Sequence, residues 1–116
     1  IKEISEAERL FVAKFTDAVN KSLESGTLDY DFIASEMCMT RSHLNRKLKA
    51  ITGLTSTDHI KAIRISLAKT LLDTTDMKVE SIALRCGVDD MAYFSSLFRK
   101  ATGMTPTAWR TRCRRA

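Results

Sequence analysis

Residues 33–53 read IASEMCMTRSHLNRKLKAITG, and residues 82–103 read IALRCGVDDMAYFSSLFRKATG. The second stretch is the first in altered form. Both open on Ile-Ala, pass through a short turn and close a helix on Thr-Gly. The offset is 49 at Ile33/Ile82 and 50 at Gly53/Gly103, so the second copy is one residue longer. A repeat of this kind sets the architecture before any single element is assigned. The repeated unit is two helices meeting at a tight turn, with a cap residue opening the second. That is the outline of a helix-turn-helix. Two such units in one short chain imply a grip on two neighbouring segments of one duplex.

The helix expected from Arg41 to Thr52 opens on Thr40 and carries Leu44, Leu48 and Ile51, whose spacing puts them on one face. Its other face presents Arg41, Ser42, His43, Asn45, Arg46, Lys47 and Lys49, and no acidic residue occurs from 41 to 57. A reading helix needs this division. The apolar face holds it on the domain, and the polar face meets base edges in the major groove, where each base pair shows its own pattern of donors, acceptors and methyls. Arg46 can fork onto a guanine edge and Asn45 can pair bidentately with adenine, while Ser42 and His43 can meet a base edge or a phosphate. Arg41, Lys47 and Lys49 suit phosphates, which position a protein without reading sequence. Taken alone, such a face is equally that of an ordinary solvated helix.

The second reading helix is different in character. Residues 89–100 hold two acids and two bases, so their formal charge is zero. Met91, Ala92, Ser95 and Ser96 are its exposed candidates, suited to thymine methyls or single hydrogen bonds. Arg99 and Lys100, in later turns, suit phosphates. Tyr93 and Phe94, beside Leu97 and Phe98, read as packing. Asp89 or Asp90 caps this helix.

On the N-terminal side, Ser5 and Glu8 fit a capping box. Behind them Phe11, Phe15, Val19 and Leu23 recur at helical spacing, flanked by Leu10 and Ala18, until Gly26 stops the helix. Asp31 can cap a short helix carrying Phe32, Ile33, Ala34 and Met37. Between the copies, Thr55-Ser56-Thr57 offers caps for a helix through about Leu72, with Ile60, Ile63, Ile65, Leu67, Ala68, Leu71 and Leu72 forming a wide apolar stripe. Its length of about 25 Å, at roughly 1.5 Å per residue, suits a rigid spacer. Residues 73–78 read as a polar connection, and Val79, Ile82 and Ala83 head a short helix. After Gly103, Thr105-Pro106 starts a last helix with Pro at a tolerated position. Ala108 and Trp109 are its expected anchors, and Arg110, Arg112, Arg114 and Arg115 a basic tail expected to fray. No segment alternates as a strand does. The expected fold is all-α, with about seven helices: an N-terminal amphipathic helix in 1–27, a first helix-turn-helix unit in 28–54, a linker helix and connection in 55–77, and a second unit with a C-terminal helix in 78–116.

Composition narrows the function. A length of 116 residues makes one compact domain or two very small ones. Residues 1–36 carry 4 basic and 8 acidic side chains, whereas residues 37–116 carry 15 basic and 6 acidic. The repeat-bearing part is therefore basic, as a phosphate-binding surface is. No apolar run approaches the roughly 20 residues a membrane span needs, and no signal peptide pattern opens the chain. The absence of an initiator Met suggests a fragment of something longer. Cys38, Cys86 and Cys113 are odd in number and widely spaced, so they suit a reducing cytoplasm and give neither a disulfide framework nor a metal motif. Cys38 and Cys86 read as small buried hydrophobes. His43 and His59 are too few for a zinc site, and His59 is expected on the linker helix surface. No cofactor, metal or catalytic constellation is expected.

The stretch IALRCGVDDMAYFSSLFRKATGMTPTAW resembles the signature of AraC-type transcription regulators: Ile-Ala, a glycine after the first helix, Tyr-Phe-Ser, Phe with two basic residues, then Gly-x-x-Pro and an aromatic. MTRSHLNRKLKAITG, with Arg64, Ala68, Leu71 and Leu72, looks like the first half of that pattern. The resemblance covers about residues 28–110. It implies a seven-helix domain with two helix-turn-helix units on double-stranded DNA, their reading helices in successive major-groove segments. Family base-contacting positions fall on Ser42, Asn45 and Arg46, and on Met91, Ala92 and Ser96. Two departures stand out: Ser96 where an arginine is frequent, and Val88 where Phe or Tyr is usual. The resemblance also implies a cytoplasmic regulator with RNA polymerase as partner and a sensing, receiver or dimerisation module on the N-terminal side. The wording of the first unit is similar to regulators that end bacterial hybrid two-component sensors. Two other readings stand beside it: a helical protein–protein module, and an AraC-type domain detached from a DNA repair methyltransferase.

Overall fold

Short local signals start or stop most of the helices. The computed structural model describes residues 3–115, and these form seven helices and no strand. They are α1 (Glu6–Glu24), α2 (Tyr30–Glu36), α3 (Arg41–Thr52), α4 (Ser56–Thr74), α5 (Val79–Arg85), α6 (Met91–Thr102) and α7 (Pro106–Arg115). Ser5 and Glu8 form the expected capping box, with Glu8 N donating to Ser5 Oγ over 3.1 Å and Ser5 N donating to Glu8 Oε1 over 2.9 Å. The cap of α2 is Asp29 rather than Asp31: its carboxylate accepts from both Asp31 N and Phe32 N. Asp31 lies in the first turn of α2, where an acid still complements the helix dipole.

The chain divides into two compact units, the first ending at Ile63 and the second beginning at Arg64. In the first, α1 packs on α2 and α2 on α3. Phe15, Ala18, Val19 and Leu23 of α1 are buried, as are Ile33, Ala34, Met37, Leu44, Leu48, Ile51 and Ile60. Leu10, which flanks the α1 stripe, is instead exposed. Buried Ser22 closes the loop after α1. Its hydroxyl donates to Thr27 O over 3.0 Å and accepts from Asp29 N over 2.7 Å. His59 is only half-exposed on α4 and packs inward rather than lying free on the surface. Its Nε2 lies 2.7 Å from Thr52 Oγ1, and its ring meets the edge of Phe15 with centroids 5.9 Å apart. Desolvation by this packing lowers its pKa below the ordinary histidine value, against a smaller upward pull from Asp58.

In the second unit Ile65, Ala68, Leu72, Ile82, Ala83, Cys86, Val88, Phe94 and Phe98 form one core. Trp109 closes it, edge-on to Phe98 with centroids 5.8 Å apart. Ala108 is exposed and anchors nothing. The basic tail is docked rather than frayed. Arg110 donates to three main-chain carbonyls in the last turn of α4 and the connection after it: Leu72 O at 3.1 Å, Thr75 O at 3.1 Å and Met77 O at 2.7 Å. Arg114 bonds Asp76 Oδ1 over 2.7 Å and Thr75 O over 2.6 Å, which holds the Asp76 carboxyl below the usual carboxylate range. Leu72 O lies in the last turn of α4, where a helix end leaves acceptors without partners, and Thr75 and Met77 lie in the connection that follows.

The turn inside each unit is built the same way. Cys38 N donates to Ser35 O and Met39 N to Ala34 O; Gly87 N donates to Leu84 O and Val88 N to Ala83 O. Each is a Schellman ending, which needs one residue in the left-handed region. Gly87 fills that place at φ 80, as glycine readily does. Cys38 fills it at φ 57 and is exposed, which corrects its reading as a buried hydrophobe. Cys86 is fully buried, and desolvation pushes its thiol up to about 11.

The repeat is longer than the two quoted stretches. Ser56 and Pro106, 50 apart, are the first residues of α4 and α7, and His59 and Trp109, also 50 apart, each meet a buried phenylalanine of their own unit in a T-shaped contact, Phe15 of α1 and Phe98 of α6. At an offset of 49, buried Val19 and Leu23 of α1 match buried Ala68 and Leu72 of α4. Each unit is thus four helices. The fourth helix of the first and the first helix of the second are joined end to end as α4.

Candidate nucleic-acid interface

The cap and the apolar spacing fix how α3 faces outward. Thr40 Oγ1 accepts from His43 N over 3.1 Å, and Gly53 ends the helix at φ 80. Leu44, Leu48 and Ile51 are buried, so the opposite side is exposed. Ser42, Arg46 and Lys49, spaced by four and three, form one outward row with His43 beside it. Among the described residues, the side chains of Ser42, His43, Arg46 and Lys49 have no hydrogen-bond or ion-pair partner.

The other three expected members of this face are engaged. Asn45 is half-buried, and its Oδ1 accepts from Ser56 N at 2.9 Å and from Ser56 Oγ at 3.2 Å. An amide oxygen so occupied cannot also accept from an adenine amino group, so the expected bidentate pairing is not presented by this structure. Lys47 Nζ lies over the Phe11 ring, 4.4 Å from its centroid, so its ammonium turns toward α1 and away from the outward row. Arg41 lies over the Tyr30 ring at 5.0 Å and 3.8 Å from Asp31 Oδ1, yet its side chain stays 62% exposed and can still reach a phosphate. Arg41, Ser42, Asn45 and Ser56 share a groove of about 790 Å³ where the N-termini of α3 and α4 approach each other.

In α6 the cap is Asp90, whose Oδ1 accepts from Tyr93 N over 3.1 Å; Asp89 does not serve. Phe94 and Phe98 are buried. The outward row is Ala92, Ser96 and Arg99, with Lys100 exposed beside it. Met91 packs partly against the core, and Ser95 is half-buried, so neither is as free as its residue type suggests. Tyr93 reverses its expectation. It is 45% exposed, while its neighbour Phe94 is fully buried. At an offset of 50 the two helices match Ser42 with Ala92, His43 with Tyr93, Arg46 with Ser96 and Lys49 with Arg99. The alignment of Tyr93 with exposed His43 is the sequence signal that puts Tyr93 outside. No group of His, Cys, Asp or Glu among the described residues could hold a metal ion, and no helix is long and apolar enough to cross a membrane.

Two units, each offering an exposed capped helix behind the same tight turn, define a double helix-turn-helix protein. A family model described as a helix-turn-helix domain matches residues 33–112. The HTH-type transcriptional activator RhaR of Enterobacter sp. (strain 638) is 36% identical over 103 residues, covering 89% of this chain and 36% of that protein. The chain thus spans about a third of the length of the curated relatives it matches. Among solved structures, the DNA-binding domain of AdpA, a global transcriptional factor in complex with a target DNA, is similar with a TM-score of 0.74 and 25% identity, over 96% of each chain. An AraC-type regulator from Chromobacterium violaceum shares the fold with a TM-score of 0.81 at 24% identity, over 94% of this chain and 96% of that one. The chain belongs to the AraC-type helix-turn-helix family, the DNA-binding domains of transcription regulators.

Proposed function

We propose that the chain binds double-stranded DNA sequence-specifically by laying α3 and α6 in successive major-groove segments, with α3 supplying most of the base readout. The observation that carries this is the matched pair of outward rows, Ser42/Arg46/Lys49 and Ala92/Ser96/Arg99, on two helices whose N-cap side chains, Thr40 and Asp90, each accept from the third helical N–H. Arg46 is the one fork-shaped donor in the first two turns of either row, suited to guanine O6 and N7. Ala92 and Ser96 offer a methyl and a single hydroxyl, and Tyr93 adds a phenol at the position of His43. Lys49, Arg99, Lys100 and Arg41 meet phosphates. The AdpA domain in complex with its target DNA supports this use of the fold.

The same reading places the chain in a longer cytoplasmic regulator that engages RNA polymerase and carries a sensing, receiver or dimerisation module on its N-terminal side. The coverage of only 36% of the RhaR relative supports the longer chain, and the family resemblance alone supports the remaining parts. A hybrid two-component origin rests on the wording of the first unit alone.

The test is selection from a randomised duplex pool, followed by affinity measurement against salt. Binding should weaken steeply with salt, since each phosphate contact releases counterions. Arg46→Ala should cost about 1–3 kcal/mol on the selected sequence and much less on a random one. Equal affinity of Arg46→Ala and wild type for the selected duplex would falsify the assignment of α3 as the main reader.

A further inference from the structure

The hydrogen bonds of Asn45 carry a consequence for base choice. Ser56 is the first residue of α4, so its amide is one of the donors a helix start leaves without an intrahelical partner. Asn45 supplies that partner from another helix, over 2.9 Å, and the Ser56 hydroxyl takes a second bond to the same oxygen over 3.2 Å. Only the oxygen of a carboxamide accepts from a backbone N–H, so this contact also fixes which way the amide points. Both lone pairs of Oδ1 are then used. What Asn45 has left for a ligand is its NH₂ group, a donor with no acceptor beside it.

The second copy bears this out by contrast. The residue matching Ser56 is Pro106, which has no N–H to satisfy, and the residue matching Asn45 is Ser95, too short to reach across. The long amide occurs where there is a donor to cap.

We propose that Ser56 is a specificity-determining residue that acts through Asn45: by holding the amide oxygen, it makes Asn45 a donor-only reader that selects a base edge presenting an acceptor. This rests on α3 being a reading helix. Bidentate recognition of adenine needs the oxygen to accept from N6 while the nitrogen donates to N7. With the oxygen held, only donation remains. Guanine N7 and O6, thymine O4 and adenine N7 all accept, and the adenine amino group goes unread. Ser56 is a positioning residue in this scheme and touches no base itself.

The experiment is selection from a randomised duplex pool with wild type, Asn45→Ala and Ser56→Pro. Asn45→Ala identifies the base position whose preference depends on Asn45. Wild type should accept adenine and guanine there within about threefold of each other. Ser56→Pro keeps the helix start, as Pro106 does in the second copy, and removes both donors. It should shift that position to adenine by roughly tenfold, the usual worth of a bidentate pair. A separate arm needs no variant. Replacing an adenine at that position by purine, which lacks the amino group, should leave wild-type affinity unchanged. A tenfold loss there would show bidentate readout and overturn the proposal even if Ser56→Pro failed to fold. An unchanged preference in a folded Ser56→Pro would also overturn it, as would an Asn45→Ala selection identical to wild type. Selection of no sequence by wild type would sink the reading of α3 itself, and so is told apart from failure of this inference alone.

Discussion

Replacing Arg110 by alanine should unfold the second unit at far milder conditions than wild type. The side chain donates three hydrogen bonds to carbonyls at Leu72, Thr75 and Met77, and those carbonyls lie where α4 ends and the chain turns toward α5. A hydrogen bond from a charged donor is worth about 1.5–3 kcal/mol net. The three share one guanidinium and do not add, and water can reach part of the loop once the side chain is gone. The expected loss is therefore about 2–4 kcal/mol rather than the full sum. For a unit of this size each kcal/mol corresponds to roughly 4–8 °C, so Tm should fall by at least about 8 °C. The assay is built in, because Trp109 is the chain's single tryptophan and packs in the core of the same unit. Its fluorescence in a urea titration reports that unit directly. Arg110→Lys should recover less than half of the loss, since one ammonium cannot span three carbonyls as a planar fork does. A fluorescence midpoint for Arg110→Ala within about 0.5 kcal/mol of wild type, or full rescue by lysine, would refute the view that these carbonyls depend on Arg110.

Two further outcomes follow from the first unit. Cys38→Gly should stabilise it by about 0.5–1 kcal/mol, because an exposed non-glycine residue at φ 57 is strained where glycine is not; an unchanged or lower urea midpoint would contradict this. The packed His59 has a lowered pKa, so protonation favours the unfolded chain: its contribution is intact above pH about 6.5 and declines as pH falls below that value. Stability measured from pH 7 to pH 5 should therefore drop more steeply for wild type than for His59→Gln, and parallel curves would count against the packing argument.

The signals legible in sequence were those that act within a few residues. The Ser5/Glu8 box, the Thr40 cap, the glycine endings and the Leu44/Leu48/Ile51 stripe are all local, and each set a helix boundary or a buried face in the structure. Contacts between distant residues were not legible. Asn45 has the residue type and helix position of a base reader, and only the fold brings Ser56 N onto its oxygen. Lys47 meets Phe11, and Arg110 meets Leu72, across stretches no periodicity connects. Tyr93 departs from its expected place for a different reason. Adjacent helical positions are about 100° apart, so burying Phe94 turns Tyr93 toward solvent, while an apolar count treats the two alike.

The double membership of α4 has a consequence for how the chain folds. Residues 56–63 belong to the first unit and residues 64–74 to the second. Each half is shorter than the roughly 12–15 residues at which an isolated helix becomes even marginal in water. Outside its unit neither half would persist as a helix; within it each is held by packing, as the seven-residue α2 and α5 are, and gains from the other a hydrogen-bonded turn at its open end. Melting one unit is expected to fray the shared helix at the edge of its neighbour, as in a chain of coupled repeats. The shared helix is thus expected to link two units whose unfolding would otherwise be two independent events.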